Sequence, residues 1–194
     1  MEKFGDDTAL LLIDIQNDFC AGGALAVPQA EEIVPVVNEL IPWFRHVLAT
    51  QDWHPADHSS FRPQGGPWPV HCVQGTRGAE LHPRLDVPRI TGYFRKATTK
   101  DSDSYSGFAG VDANGRGLDE VLRSRRIRTL YVAGLATDYC VRATVLDALK
   151  LGYRVYAVVD AMRAVGLNPG DGETVLNEMR QAGAKLVVSQ DVLR

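Results

Sequence analysis

The sequence contains few cysteines, and they lie far apart. Cys20, Cys72 and Cys140 are an odd number and include no CxxC pair, which argues against a disulfide framework, a cysteine-clamped zinc and a redox dithiol. A free cysteine is most often a small buried hydrophobic residue. We therefore predict that structural role for Cys20 and Cys72.

Long hydrophobic runs, a basic leader and a strong net charge are also missing. Apolar runs such as residues 9–15 and 155–159 are too short to span a bilayer. Acidic residues stand near the start, where leader peptides carry basic ones. The formal net charge of −3 is spread along 194 residues, unlike the basic face of a nucleic-acid binder. We expect a cytoplasmic protein that binds a small molecule, without a nucleic-acid or membrane partner. A homo-oligomer stays open.

Segments with strand and helix patterns alternate along the chain. Residues 8–15 are a nearly unbroken apolar run, typical of a strand that is covered on both faces. Further strands are predicted at 46–50, 93–96, 129–134, 154–160 and 185–188, and helices at 31–44, 118–124, 140–151 and 172–182. The alternation predicts an α/β fold with a three-layer, doubly wound, mostly parallel sheet of about six strands and helices on both faces. Functional residues should lie beyond the carboxyl ends of the strands.

One segment, about residues 53–91, interrupts this alternation. It contains six of the ten prolines and four of the five histidines. A long irregular loop inside a compact domain is usually functional or disordered, and its tryptophans and histidines favour function. We predict a single domain over residues 1–194 with this loop as a metal-binding insertion.

The sequence around the second predicted strand suggests a metal site. Asp52 and His54 are two residues apart in extended chain, so their side chains share a face. A carboxylate and an imidazole suit zinc, iron or manganese, and a third ligand would come from His58 or His71. The alternative is that these side chains only cap turns.

Cys140 lies at a predicted junction between a strand and a helix, where Thr137 or Asp138 could cap the helix. In a first helical turn, the dipole and free N–H groups favour a thiolate and can bind an oxyanion. Asp14 lies at the end of the first predicted strand and Lys96 at the end of the third. If these strands are neighbours, both side chains reach the same edge of the sheet. The alternative interpretations are a buried structural role for Cys140, a solvated turn at Asp14 and a surface position for Lys96.

Five motifs stand in a distinctive order and spacing: DIQNDF at 14–19, TQDWHP at 50–55, WPVHCV at 68–73, SYSGF at 104–108 and GLATDYCV at 134–141. Together they resemble the nicotinamidase (pyrazinamidase) family of the isochorismatase-like cysteine hydrolases. Each motif is weak alone, but their combination over almost the whole chain is specific. The resemblance implies an isochorismatase-like fold.

The resemblance also implies the catalytic residues Asp14, Lys96 and Cys140. Lys100 is a second candidate for the lysine, but the distance from Lys96 to the SYSGF motif fits the family better. A cis peptide bond between Leu135 and Ala136 is implied too, with the N–H groups of Ala136 and Cys140 forming an oxyanion hole.

The implied metal ligands are Asp52, His54 and His71, for one divalent ion. Zinc is the first expectation, and iron or manganese are the alternatives. His58 resembles a variable fourth-ligand position, and Ser60 competes with it for a water-mediated contact. Both are left outside the core site.

Phe19, Trp68 and Tyr105 match aromatic residues that line the nicotinamide pocket in the family, although core packing is an alternative role for them. The implied activity is hydrolysis of nicotinamide to nicotinate and ammonia through a thioester, in NAD salvage, with pyrazinamide as a further substrate. The alternatives are a related amidase for ureido or carbamoyl substrates, isochorismatase itself, and a non-catalytic metal-binding or thiol-sensing protein.

Overall fold

A computed structural model describes residues 4–194 of the chain. Six strands form one parallel sheet: β1 (Thr8–Ile13), β2 (His46–Asp52), β3 (Gly92–Lys96), β4 (Thr129–Leu135), β5 (Arg154–Arg163) and β6 (Lys185–Val187). Their order across the sheet is β3-β2-β1-β4-β5-β6. The chain therefore reverses its winding direction between β1 and β4, which is the topological switch point where α/β proteins bind ligands.

Five helices cover the sheet: α1 (Ile33–Leu40), α2 (Leu118–Ser124), α3 (Arg142–Lys150), α4 (Asp171–Gln181) and α5 (Ser189–Val192). Alternate residues of β1 divide between two apolar clusters. Leu10 and Leu12 pack with α1 and α5, whereas Leu11 packs with α2, α3 and α4. The predicted three-layer, doubly wound α/β fold is thus confirmed. No helix among residues 4–194 has the length and apolar character needed to cross a membrane.

Two predicted helices are shorter than their apolar patterns suggested. The segment at 31–44 contains only α1 as α-helix, flanked by 3₁₀ turns at Ala30–Glu32 and Ile41–Trp43. Pro42 lies at the start of the second turn and cannot donate a helical hydrogen bond, which ends α1. The helix predicted at 140–151 begins as a π-helical turn at Thr137–Val141, and α3 follows from Arg142.

The loop at 53–91 contains three short 3₁₀ turns and isolated bridges in place of regular elements. Gln16, which is fully buried, fixes it against the sheet. Its side-chain amide donates to the carbonyls of Asp52 (2.8 Å) and Ala79 (2.9 Å). The same side chain accepts from the Asp52 N–H at 2.9 Å. Long-range hydrogen bonds of this kind order a loop that lacks periodic structure.

Candidate active site

Four neighbouring strands deliver the candidate catalytic residues to one edge of the sheet. Asp14 follows β1, Asp52 and Lys96 are paired residues at the ends of β2 and β3, and Cys140 follows β4. The carboxyl ends of parallel strands meet at the same edge. Residues that are 126 positions apart in sequence, from 14 to 140, are therefore brought together.

Lys96 is the centre of this group. Its side chain is fully buried, its Nζ lies 3.1 Å from Asp14 Oδ2, and it donates to Asp52 Oδ1. The same Nζ lies 3.5 Å from Cys140 Sγ. Lys100 instead pairs with Asp57 at the surface, at 3.4 Å. The structure thus places Lys96, and not Lys100, beside the thiol.

The pKa values of the two carboxyl groups beside Lys96 are shifted in opposite directions. Burial raises the pKa of Asp14 above its usual range, with only partial opposition from the Lys96 charge and from the Thr50 hydroxyl, which donates to Oδ1 at 2.7 Å. Burial alone would also raise the pKa of Asp52, but Lys96 and His54 outweigh it and hold this pKa below its usual range. Such a pair of environments favours Asp52 as a permanent anion and Asp14 as a proton carrier.

Burial also raises the pKa of the Cys140 thiol well above its usual value, although the Lys96 charge acts in the opposite direction. This finding differs from the expectation that the helix start alone would favour a thiolate. Cys140 lies within a π-helical turn and is 5% exposed, so desolvation outweighs the opposing Lys96 charge. The resting group is a thiol, and it needs an acceptor for its proton.

The predicted caps of the Cys140 helix are wrong. Thr137 and Asp138 lie inside the π-helical turn, and no side chain caps it. The Asp138 carboxylate instead accepts from the N–H groups of Val165 and Gly166, both at 2.9 Å. Asp138 therefore fixes a distant loop beside the thiol.

The peptide bond between Leu135 and Ala136 is cis, as expected from the resemblance. Ala136 and Cys140 both line the same cavity. The oxyanion hole assigned to their N–H groups remains a prediction.

The predicted metal ligands form a compact cluster. Ligand atoms of Asp52, His54 and His71 all lie within 4.8 Å of one another. Asp52 Oδ2 is 3.5 Å from His54 Nε2 and 3.9 Å from His71 Nε2. These three residue types are common ligands of zinc and of other divalent transition metals.

The surroundings of the His54 and His71 ring nitrogens are compatible with a bound cation. Among residues 4–194, neither ring nitrogen of the buried His54 has a hydrogen-bond partner, an arrangement that costs about 1–3 kcal/mol unless an ion or water satisfies them. His71 Nδ1 lies 2.7 Å from the carbonyl oxygen of Pro69, which acts as acceptor and leaves Nε2 free to bind a metal. Burial also lowers the pKa of His71, favouring the neutral, ligating form.

His58 is placed differently from the three candidate ligands. Its ring lies beside that of His54, but Nδ1 is 2.8 Å from Ser60 Oγ and Nε2 is 2.9 Å from the Ser102 carbonyl oxygen. Both nitrogens are thus occupied by protein partners. Ser60 lines the cavity next to the cluster.

A cavity of about 510 Å³, including its open mouth, extends from the Cys140 thiol to the candidate metal ligands. The lining includes Phe19, Trp68 and Tyr105, and Tyr139 adds a fourth aromatic ring. Trp68 Nε1 donates to the Tyr105 hydroxyl at 3.1 Å, and the Tyr139 ring centroid lies 5.2 Å from that of Trp68. Aromatic side chains of this kind can pack against a flat ring.

Sequence reasoning missed several residues that line the cavity: Leu25, Val27, Asp103, Ser104, Tyr139 and Val165. Tyr139 could have been found, because it directly precedes Cys140 in a recognised motif. Leu25, Val27 and Val165 lie in loops, where an apolar residue has no periodic neighbours that would indicate its direction.

Comparisons with known proteins agree with this geometry. The family model for the isochorismatase domain matches residues 8–191. A nicotinamidase of Escherichia coli (strain K12) is 47% identical over 206 residues, covering 94% of this chain and 95% of the relative.

Two solved structures are also similar. The pyrazinamidase of Pyrococcus horikoshii in complex with zinc is 45% identical, with a TM-score of 0.85 over 94% of this chain and 99% of that one. PnC1 from L. infantum in complex with nicotinate is 39% identical, with a TM-score of 0.89 over 98% and 96%. The chain belongs to the isochorismatase family.

Proposed function

We propose that the chain is a nicotinamidase, a cysteine amidohydrolase that converts nicotinamide to nicotinate and ammonia. One observation carries this proposal: the Cys140 thiol, beside Asp14 and Lys96, faces an aromatic cavity that also contains a metal-ligand cluster. Similar proteins that are nicotinamidases or pyrazinamidases support the same activity. Pyrazinamide, another flat carboxamide, is a further substrate, and the reaction serves NAD salvage in the cytoplasm.

In the proposed mechanism, Asp14 accepts the proton of the Cys140 thiol as the sulfur attacks the carboxamide carbon. The Lys96 ammonium stabilises the negative charge that this transfer creates. The N–H groups of Ala136 and Cys140 donate to the oxyanion of the tetrahedral intermediate. Asp14 then returns the proton to the leaving nitrogen, ammonia departs, and a thioester remains. Water attacks the thioester with Asp14 as base, which releases nicotinate and restores the thiol.

Asp52, His54 and His71 would hold one divalent ion, with zinc as the first expectation and iron or manganese as alternatives. When bound, the ion would supply a Lewis acid for the ring nitrogen of the substrate. The zinc complex of the Pyrococcus relative supports the choice of zinc. The aromatic side chains Phe19, Trp68 and Tyr105 would pack against the pyridine ring of the substrate.

The proposal is tested by incubating metal-loaded protein with nicotinamide and measuring ammonia and nicotinate. We expect stoichiometric release of both, loss of release in Cys140→Ala, and metal binding that is retained in this variant. Lys96→Ala should also lose turnover, whereas the matched surface variant Lys100→Ala should keep it. Retained turnover in Cys140→Ala, or no release with any of the three metals, would refute the proposal. Release from a carbamoyl substrate alone would favour the related amidases.

A further inference from the structure

The charge of the ligand changes during the proposed reaction. Nicotinamide is neutral, whereas its product is a carboxylate that is ionised at neutral pH. A divalent cation held by Asp52, His54 and His71, which line the cavity, would attract this anion. The product therefore has an electrostatic reason to stay bound, and this inference rests on the proposed function.

Asp103 is the charged group on the cavity wall that lacks a partner. The other carboxylate on the wall, Asp52, is paired with Lys96. Within residues 4–194, the Asp103 carboxylate forms no hydrogen bond and no ion pair. Asp103 is exposed, so it lies at the mouth of the cavity, on the route between the site and solvent.

The backbone on each side of Asp103 is fixed. The carbonyl oxygen of Ser102 lies 2.9 Å from His58 Nε2, and that of Ser104 accepts from Lys96 Nζ at 3.4 Å. Further along, the Gly107 N–H donates to the buried Thr144 hydroxyl at 2.8 Å. The Asp103 carboxylate is thus attached to a segment that is held in place at three points.

The field of Asp103 also reaches the cavity wall. The pKa of Tyr105 is raised, first by burial and further by the negative charge of Asp103. Tyr105 is one of the aromatic residues that would contact the ring of the ligand. The same negative charge would repel a carboxylate product in the cavity.

We propose that Asp103 is a specificity-determining residue, which repels anions at the mouth of the cavity. It accelerates departure of the carboxylate product and disfavours acidic substrates, while it leaves entry of a neutral carboxamide unaffected. Since the charge is exposed, its effect on binding is modest, about two- to fivefold.

The test compares nicotinate affinity, measured by calorimetry, with the KM for nicotinamide in metal-loaded protein. Asp103→Asn removes the charge and Asp103→Glu keeps it. Asp101→Asn removes a nearby exposed charge that does not line the cavity.

In Asp103→Asn, we expect the dissociation constant of nicotinate to fall about two- to fivefold, with little change in the KM for nicotinamide. Raising the salt concentration should shrink this difference, because salt screens exposed charges. Asp103→Glu and Asp101→Asn should behave like the parent.

An unchanged nicotinate affinity in Asp103→Asn, with normal hydrolysis, would overturn the role of Asp103 and leave the proposed function intact. An equal shift in nicotinate affinity and in the KM for nicotinamide would also overturn it, because a change of shape acts on both ligands. Parent protein that neither hydrolyses nicotinamide nor binds nicotinate would refute both proposals together.

Discussion

Thr144 connects two parts of the candidate site through one buried hydroxyl. It donates to the Cys140 carbonyl oxygen at 2.7 Å and accepts from the Gly107 N–H at 2.8 Å. Its side chain therefore joins the turn that contains the thiol to the segment that contains Tyr105. A hydroxyl with two buried partners is costly to replace, because both lose their hydrogen bond.

Thr144→Val keeps the shape of the side chain but removes this hydroxyl. We expect a loss of about 1–3 kcal/mol in the free energy of unfolding and a lower kcat. Thr144→Ser should restore most of both. Denaturant unfolding and steady-state kinetics on the three proteins test this, and a fully active, stable valine variant would contradict it.

The protonation of Cys140 gives a prediction on pH. Because burial raises its pKa well above the usual value of 9.0, the thiol is protonated at neutral pH and loses its proton only in strongly alkaline solution. Ultraviolet titration of thiolate absorbance in parent minus Cys140→Ala protein should show no Cys140 step below pH 9.0. A step near neutral pH would mean that Lys96 outweighs desolvation.

At the scale of the elements, the contact between β1 and β4 depends on one glycine. Gly134 has φ +125° and pairs with Ile13. A Cβ at this position would lie 2.1 Å from the Ile13 carbonyl oxygen. Only glycine allows the two strands to approach this closely, and Asp14 directly follows Ile13.

Gly134→Ala should therefore cost about 3 kcal/mol or more in the free energy of unfolding, from overlap and backbone strain together. It should also reduce activity by displacing Asp14. Gly152 is the matched control, since its φ is +89° but, among the residues that the structure describes, no atom beyond its chain neighbours lies within 4 Å of a Cβ there. Gly152→Ala should cost about 1–2 kcal/mol through strain alone and leave activity unchanged. Equal losses in the two variants would disprove this explanation.

The strands and most helices could be predicted from the sequence because their signals are local. The apolar run of β1 and the helical spacing of apolar residues in α2 each indicate the element within its own segment. The four-residue helix α5 is too short for periodicity, and the π-helical turn at Thr137–Val141 has no pattern that distinguishes it from an α-helix. The end of α1 could have been predicted from Pro42.

At the scale of the whole molecule, the candidate metal cluster connects the sheet to the loop at 53–91. Asp52 belongs to β2, whereas His54 and His71 belong to the loop. A cation that binds only the folded cluster stabilises the protein by mass action, by about 2.7 kcal/mol when its free concentration is a hundred times its dissociation constant.

Removal of the metal by a chelator should therefore lower the Tm and expose the loop to proteases. His71→Ala should abolish this response to metal. His82→Ala is the control, because His82 lies in the same loop but faces Glu31 at 3.6 Å, away from the cluster. A similar response of all three proteins to metal would contradict the assigned ligands.

The candidate site could be predicted from sequence only where recognisable motifs place its residues. The motifs nominate Asp14, Lys96 and Cys140, and the structure places these three side chains close together. Thr50 and Thr144, which hydrogen-bond to this group, were not found. A threonine in a strand or a helix is ordinary in sequence, and its partner becomes visible only when distant segments pack.

The strand order also has a consequence during synthesis of the protein. A nascent chain that ends before Thr129 already contains β1, β2 and β3, but β1 is then an open edge with apolar side chains on both faces. Such an edge is prone to pair with other chains until β4 covers it. The same event brings Cys140 to Asp14 and Lys96. Until β4 has docked, a ribosome-bound chain therefore has both an unassembled site and an open β1 edge. Docking of β4 covers that edge, and β4 is then the open edge until β5 pairs with it.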